Sequence, residues 1–347
     1  MKNTIFIALI LLAGILTSCG SVKYFGIETF TPAEITFPET VETVVIVNNA
    51  VPQPKKPGYK YTIMGVEQDT THMVADSALY DACKALGESI ADQPFFKDVR
   101  LYNDAVRQDE FFFQDTKLTP DQVETICDES GAEAIISLDR LLFNMEKDVF
   151  PFGEVMAGTI KVQATAVLRA YMPGRNNSMA TIYLTDSLFW SEGASNLRTL
   201  DSYLPKPEVA LRETAAYLTS GAYRNFVPHW EQAQRWYYTN SGTRWKQASA
   251  FAAKEKWEEA LTIWQSIYEA QTNKKSKAEA AANIAVGYEM VGKFNEALDW
   301  AKKSLALFKE QTSDEKDSNV ALLTLYEQVI TSRIQANNKL NMQFGKE

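Results

Sequence analysis

Two stretches of this chain lie over one another. RWKQASAFAAKEKWEEALTIWQSIYEA and AANIAVGYEMVGKFNEALDWAKKSLALF coincide at Glu259-Ala260-Leu261 and Glu296-Ala297-Leu298, an offset of 37 residues. The alanine, lysine and glutamate content of this third, with aromatics at helical spacing, makes each copy a pair of helices, and one such pair cannot bury its own apolar face and must stack on the next. Ala248 and Ala285 are small enough to let two helices approach, and Phe251, Trp257, Tyr288 and Phe294 fill the space between them. DSNVALLTLYEQVITSRI adds Val320, Leu323, Tyr326, Val329 and Ile330 at helical spacing, a further or capping helix.

The preceding two hundred residues are patterned differently. VETVVIVNNA (41–50) is a dense β-branched run, which predicts a buried strand, and VPQPKKPG after it predicts a loop. Leu79, Ala82, Cys83, Leu86 and Ile90 mark an amphipathic helix over 74–91, and FKDVRLYN a second strand. In TPDQVETICDESGAEAIISL, Thr119 caps a helix with Pro120 at its first turn and Gln122 reaching back, Gly131 suits a left-handed exit, and a strand runs from Ala132 to about Leu142. Ile160, Val162, Ala164, Ala166 and Leu168 alternate with polar residues, and Ile182, Leu184, Leu188 and Trp190 repeat the pattern beyond PGRNNS, an antiparallel hairpin with one wet face. A last helix starts at Pro207. The predicted fold class is α+β: a mixed sheet with helices on one face, followed by an all-α helical-hairpin array.

At the N-terminus Lys2 precedes an apolar run from Ile5 to Leu16, and then Leu16-Thr17-Ser18-Cys19. About a dozen apolar residues fall short of the ~20 needed to cross ~30 Å of hydrocarbon, and the layout is that of a secretory signal. The quartet resembles the lipobox of bacterial lipoproteins. That resemblance implies removal of residues 1–18 and lipidation of Cys19, which holds a protein on a membrane without spanning it, at about 0.8 kcal/mol per buried CH₂. An ordinary cleaved signal is the alternative. Residues 19–40, broken by Pro32 and Pro38, read as a tether, 41–240 as the α/β domain and 241–347 as the helical repeat domain.

The EAL-centred repeat resembles the tetratricopeptide family, whose period is ~34. Ala285, Tyr288, Gly292, Phe294 and Ala297 keep that family's spacing, while the first copy has Glu255 where the turn glycine stands. The resemblance implies a concave face that holds a peptide or partner helix. By register it would display Trp245, Ser249, Glu279, Ala282, Asn283 and Glu289, with Trp245 and Ser249 replacing a carboxylate clamp; in the alternative reading the array only props up the α/β domain. The element order and the GAEAIISL step resemble the small α/β domains of envelope lipoproteins and assembly factors, the TolB amino-terminal and CsgG-like groups. The whole arrangement is similar to uncharacterised lipoproteins of Bacteroidota, and Gly20-Ser21-Val22-Lys23 lacks the acidic residues of their surface-displayed members, which implies a periplasm-facing protein of the outer membrane.

Composition narrows the function. The chain carries −9 formal charge and 46% hydrophobic residues, a globular balance without a basic groove for nucleic acid. There is no HExxH, paired CxxC, GxGxxG, P-loop or GxSxG, so no enzyme, cofactor or metal is expected. EQDTTH (67–72) has no second ligand cluster, His229 sits among aromatics as a packed histidine, and Asp128 and Glu129 point apart on one helix. Cys83 and Cys127 fall in expected helices, either paired or buried as free thiols. Trp230, Trp236, Tyr237, Tyr238 and Trp245 form an aromatic cluster, read as packing at a domain junction before a sugar platform. The expected function is a lipid-anchored cell-envelope scaffold or assembly factor that binds a protein partner. A glycan-binding or glycan-processing protein and a secretion or channel component in a symmetric oligomer are the alternatives.

Overall fold

The computed structural model describes residues 22–345 except 69, 70, 108, 313 and 315. The signal at 1–18 and the lipidation expected at Cys19 lie outside the described residues. In chain order the elements begin with β1 (Val22–Thr31), β2 (Thr43–Asn48), β3 (Lys60–Ile63), β4 (Val66–Glu67), α1 (Asp76–Ala91), β5 (Asp98–Leu101) and α2 (Pro120–Ser130). The long strands β6 (Ala134–Phe152), β7 (Val155–Tyr171) and β8 (Ala180–Ala194) follow, then α3 (Leu197–Tyr203), α4 (Pro207–Ser220), α5 (Tyr223–Phe226) and β9 (His229–Tyr238). Five helices complete the chain: α6 (Thr243–Ala252), α7 (Trp257–Ala270), α8 (Lys274–Met290), α9 (Phe294–Lys309) and α10 (Ser318–Gln343). The fold is α+β, in two compact units: Pro32–His229 with the C-terminal residues from Met342, and Trp230–Asn341 with the chain up to Thr31.

The first unit is a mixed sheet. β6 pairs with β7 along its whole length and β7 with β8, both antiparallel. On its other edge β6 takes β2 and then β3 end to end, both parallel, and β5 pairs parallel with β2. A bulge between Leu138 and Arg140 sits where β2 gives out. It changes the parity of the strand: Ala134, Ile136 and Leu138 share one core with Leu141, Phe143 and Met145 beyond it. α1 and α4 cover that face together with Ile160, Val162, Ala164, Ala166 and Leu168.

The opposite face is covered too. Val45, Val47, Ile135 and Tyr171 pack on Val123, Ile126 and Cys127 of α2, so helices lie on both sides of the sheet and the expectation of a single covered face is corrected. The reason is in β2, whose four successive residues from Val44 to Val47 are all fully buried, the mark of a parallel strand with both faces covered. Cys83 belongs to one core and Cys127 to the other, both buried and free; burial pushes their thiols up to about 12 and about 11. The capping box at Thr119 and the left-handed exit at Gly131 (φ 61°) form as read. The small hairpin β3–β4, turning on Met64 and Gly65 with positive φ, had no clear signal in YTIMGV.

The second unit holds the five C-terminal helices and a two-stranded sheet of β1 and β9. α6–α7 and α8–α9 form two hairpins at the positions of the two sequence copies, and Glu255 adopts the positive φ (58°) that Gly292 (φ 77°) adopts in the second. Residues 22–31, expected as tether, are a strand: Phe25 stacks on Trp257 and Tyr237, and Phe30 on Trp230. The run lacks an apolar period because its neighbours, not its own pattern, hold it.

Candidate functional site

The six residues expected to display a concave partner surface come together, but not as an open one. Trp245, Glu279, Ala282, Asn283 and Glu289 are buried, and Ser249 is half-buried. The end of the chain's own β9 packs against them. Asn283 grips one residue of it, its carboxamide accepting from Tyr238 N at 2.6 Å and donating to Tyr238 O at 2.8 Å. Tyr237 reaches the Ser249 carbonyl at 3.5 Å, and Trp245 shares a core with Trp236, Tyr237, Tyr238 and Trp264. Glu279 is buried without an ion-pair partner close enough to offset desolvation, and its carboxyl is held above the usual range. The expectation of an exposed groove along these six is therefore corrected: five of them are buried, and Tyr238 of β9 is held by Asn283. The sequence does not show this because the aromatic density of HWEQAQRWYY reads as packing at a junction and carries no strand alternation.

An open concavity lies elsewhere on the same unit. It has a volume of about 1000 Å³ and runs between the β1–β9 ribbon and α10, with Phe30, Trp230, Met290, Phe294, Leu325 and Arg333 in its lining. Trp230 is 63% and Leu325 60% exposed, so the aromatic cluster divides: four rings are core and Trp230 faces this groove. At its base is a charged cluster. Glu289 accepts from Arg235 Nε at 2.9 Å and Nη2 at 2.8 Å, from Tyr326 Oη at 2.8 Å and from Arg333 Nη1 at 3.1 Å. One fully buried carboxylate thus serves two guanidiniums, and the cluster carries one excess positive charge. Arg333 keeps 23% of its side chain exposed and lies over the Phe294 ring at 4.9 Å. Arg333 lines the groove together with Glu28, which accepts from Gln232 at 2.8 Å and whose carboxylate balances the excess charge of the cluster.

A second polar cluster sits at the bulge of the α/β unit. Asp139, turned inward by the irregular register, accepts from Ser137 Oγ at 2.6 Å, Asn49 Nδ2 at 3.0 Å, Tyr171 Oη at 3.2 Å and Arg169. Arg169 also forks onto Asp115, 2.7 Å on each oxygen, and onto Thr181 at 3.1 Å. Asn49 donates to the Thr116 carbonyl at 2.8 Å, so the cluster fastens the loop before α2 to the sheet. Two carboxylates converge here, but both are spent on Arg169, and the arrangement is a pin and not acid-base machinery.

The remaining expectations are placed as follows. His229 is buried, its Nδ1 3.1 Å from the Val227 carbonyl and its ring edge-on to Tyr223. His72 is exposed, and among the described residues no group of three His, Cys, Asp or Glu side chains is placed to hold a metal. No helix among them is long and apolar enough to cross a membrane.

Two family models match the chain, a domain of unknown function (DUF8603) over residues 41–238 and another (DUF6340) over 246–332. No curated protein matches it. Among solved structures, the PelC dodecamer from Paraburkholderia phytofirmans is 10% identical and aligns over 60% of this chain and 99% of that one with a TM-score of 0.26. A minor lipoprotein from Acinetobacter baumannii is 11% identical over 57% and 100%, TM-score 0.24. A protein of the DUF330 family from Xanthomonas campestris is 11% identical over 57% and 90%, TM-score 0.22.

Proposed function

The chain belongs to the DUF8603 family, and on that premise we propose that it is a non-enzymatic, lipid-anchored scaffold or assembly factor of the cell envelope that binds another protein through its helical unit. The envelope address follows from the lipobox-like Leu16-Thr17-Ser18-Cys19, with the outer membrane and its periplasmic side as the finer reading. The two hairpins are read as tetratricopeptide-like repeats whose expected partner face packs against the end of β9. Partner binding therefore moves to the groove beside α10.

The observation that carries this reading is the pairing of exposed apolar side chains with one partly exposed cation. Trp230, Leu325 and Val329 are exposed along the groove, and Arg333, whose side chain keeps 23% exposure beside its pairing with Glu289, lines it as the guanidinium an acidic side chain would meet. A segment of a partner protein with an aspartate or glutamate flanked by apolar side chains complements both features. A glycan would use the Trp230 ring and could accept from Arg333, but would leave the apolar side chains of Leu325 and Val329 without complement.

The reading is tested with photo-crosslinking side chains at Leu325 and Val329 in cells, and with a panel of apolar peptides carrying a central Asp, Lys or Ser. The expected result is adducts to one protein through an acid-bearing segment, preference for the Asp peptide, and at least a tenfold loss of binding in Leu325→Glu and Arg333→Gln, with melting temperatures within a few degrees of the parent. Equal binding of the Asp and Lys peptides, or adducts unchanged by either substitution, overturns it.

A further inference from the structure

We infer that the turn joining α6 and α7, residues 253–256, is the face of the helical unit that lies against the bilayer; this rests on the proposed anchoring at Cys19. Only Gly20 and Ser21 separate that cysteine from Val22, where β1 begins. Three residues reach at most about 10 Å. The strand they lead into is fixed: Phe25 stacks at 5.0 Å on Trp257 and 5.8 Å on Tyr237, and Lys23 Nζ lies 5.9 Å from the Tyr237 ring. Lys23 and Phe25 line one concavity with Ala253, Glu255 and Trp257. An acyl chain on Cys19 therefore brings this turn to the headgroups.

Distance along α7 sets the contrast. Its 14 residues rise about 21 Å, so the turn at its far end, 271–273, lies farther from the anchor than the three-residue tether reaches. Tyr24, 62% exposed beside this turn's strand, suits an interface, where a ring with a polar tip is at home. Lys23, Lys254 and Lys256 are exposed here, but so are Glu255, Glu258 and Glu259. The face is thus set by the tether and by Tyr24, and salt leaves it in place.

The test uses full-length protein purified from membranes, whose Cys19 sulfur is blocked when acylated. Cys83 and Cys127 are buried, so a fluorophore reacts with the one added thiol in Lys254→Cys or Asn273→Cys. In phosphatidylcholine vesicles containing headgroup-nitroxide lipid, fluorescence at position 254 is expected to be quenched at least threefold more than at 273, at low and high salt alike. Equal quenching, or stronger quenching at 273, in a protein whose intact mass shows the acyl groups overturns the orientation alone. An intact mass without acyl groups and no flotation with vesicles overturns the anchor, and the inference with it.

Discussion

Arg169 lies between two carboxylates of unequal exposure. Asp139 is fully buried, whereas Asp115 keeps 29% of its side chain in solvent, and the Arg169 hydrogen bonds hold the Asp115 carboxyl below the usual carboxylate range. In the window between that lowered value and the ordinary ~3.9, the unfolded chain binds more protons than the folded one, so the contribution is complete at neutral pH and lost as the solution is acidified. Asp115→Asn is expected to lower stability by about 1–2 kcal/mol at pH 7, with a smaller difference at pH 3, because the contribution starts to fall below ~3.9 and is lost as pH drops through the lowered folded value. Denaturant midpoints of both proteins at the two pH values check this, and an unchanged gap would show that Asp115 acts by packing. Residue identity also shows where a family pattern is broken without the backbone following: Glu255 takes the left-handed conformation that Gly292 takes in the second hairpin. Glycine accepts it freely, while an L side chain pays roughly 1–2 kcal/mol. The turn is kept because the two helices it joins dictate it.

Elements are read from sequence to the extent that their own pattern holds them. β7 alternates from Gly158 to Ala166, where its other face is wet, and is buried throughout from Ala166 to Tyr171, while α2 carries its cap, its proline and its exit glycine within its own residues. β1 and β9 do not declare themselves this way. Their burial keeps no unbroken period of two, with Lys23 and Tyr24 exposed in succession in β1 and Trp230, Glu231 and Gln232 in β9 before an unbroken buried run from Arg235 to Tyr238, and β9 is fixed by a partner 45 residues on. Asn283 has no exposure and satisfies both main-chain groups of Tyr238. Asn283→Ala leaves a buried N–H and a buried C=O without partners and is expected to cost about 2–4 kcal/mol, read as a lowered denaturant midpoint for the helical unit. A cost under about 0.5 kcal/mol would mean that the carboxamide is not what seats the strand. The same logic explains the site: Trp245, Asn283 and Glu289 sit on helices whose period is local, but what they pack against comes from β9 and α10, 45 residues from Asn283 and 37 from Glu289.

At the scale of the whole molecule, the helical unit is discontinuous in sequence, drawing on residues up to Thr31 and on Trp230–Asn341. A fragment 241–347, cut where composition changes, lacks both strands and uncovers Trp245, Trp264, Asn283 and Glu289. It is expected to bind a hydrophobic dye and to melt without a cooperative transition. Linking Val22–Thr31 to Trp230–Asn341 should restore a sharp one, and calorimetry of the two fragments distinguishes them; a bare 241–347 that melts sharply would show that the strands are dispensable. By itself the sequence determined the class of the fold, the capped helix and its strand, the wet-faced hairpin, the two helical pairs and the thiol near the front, because in each the residues that fix the element are neighbours at a local period. Only the tertiary structure decided the bulge at Asp139, the second covered face of the sheet, the strand at 22–31 and the burial of the expected partner face. Each of those is settled by groups tens to hundreds of residues apart, whose mutual satisfaction leaves no period in the chain.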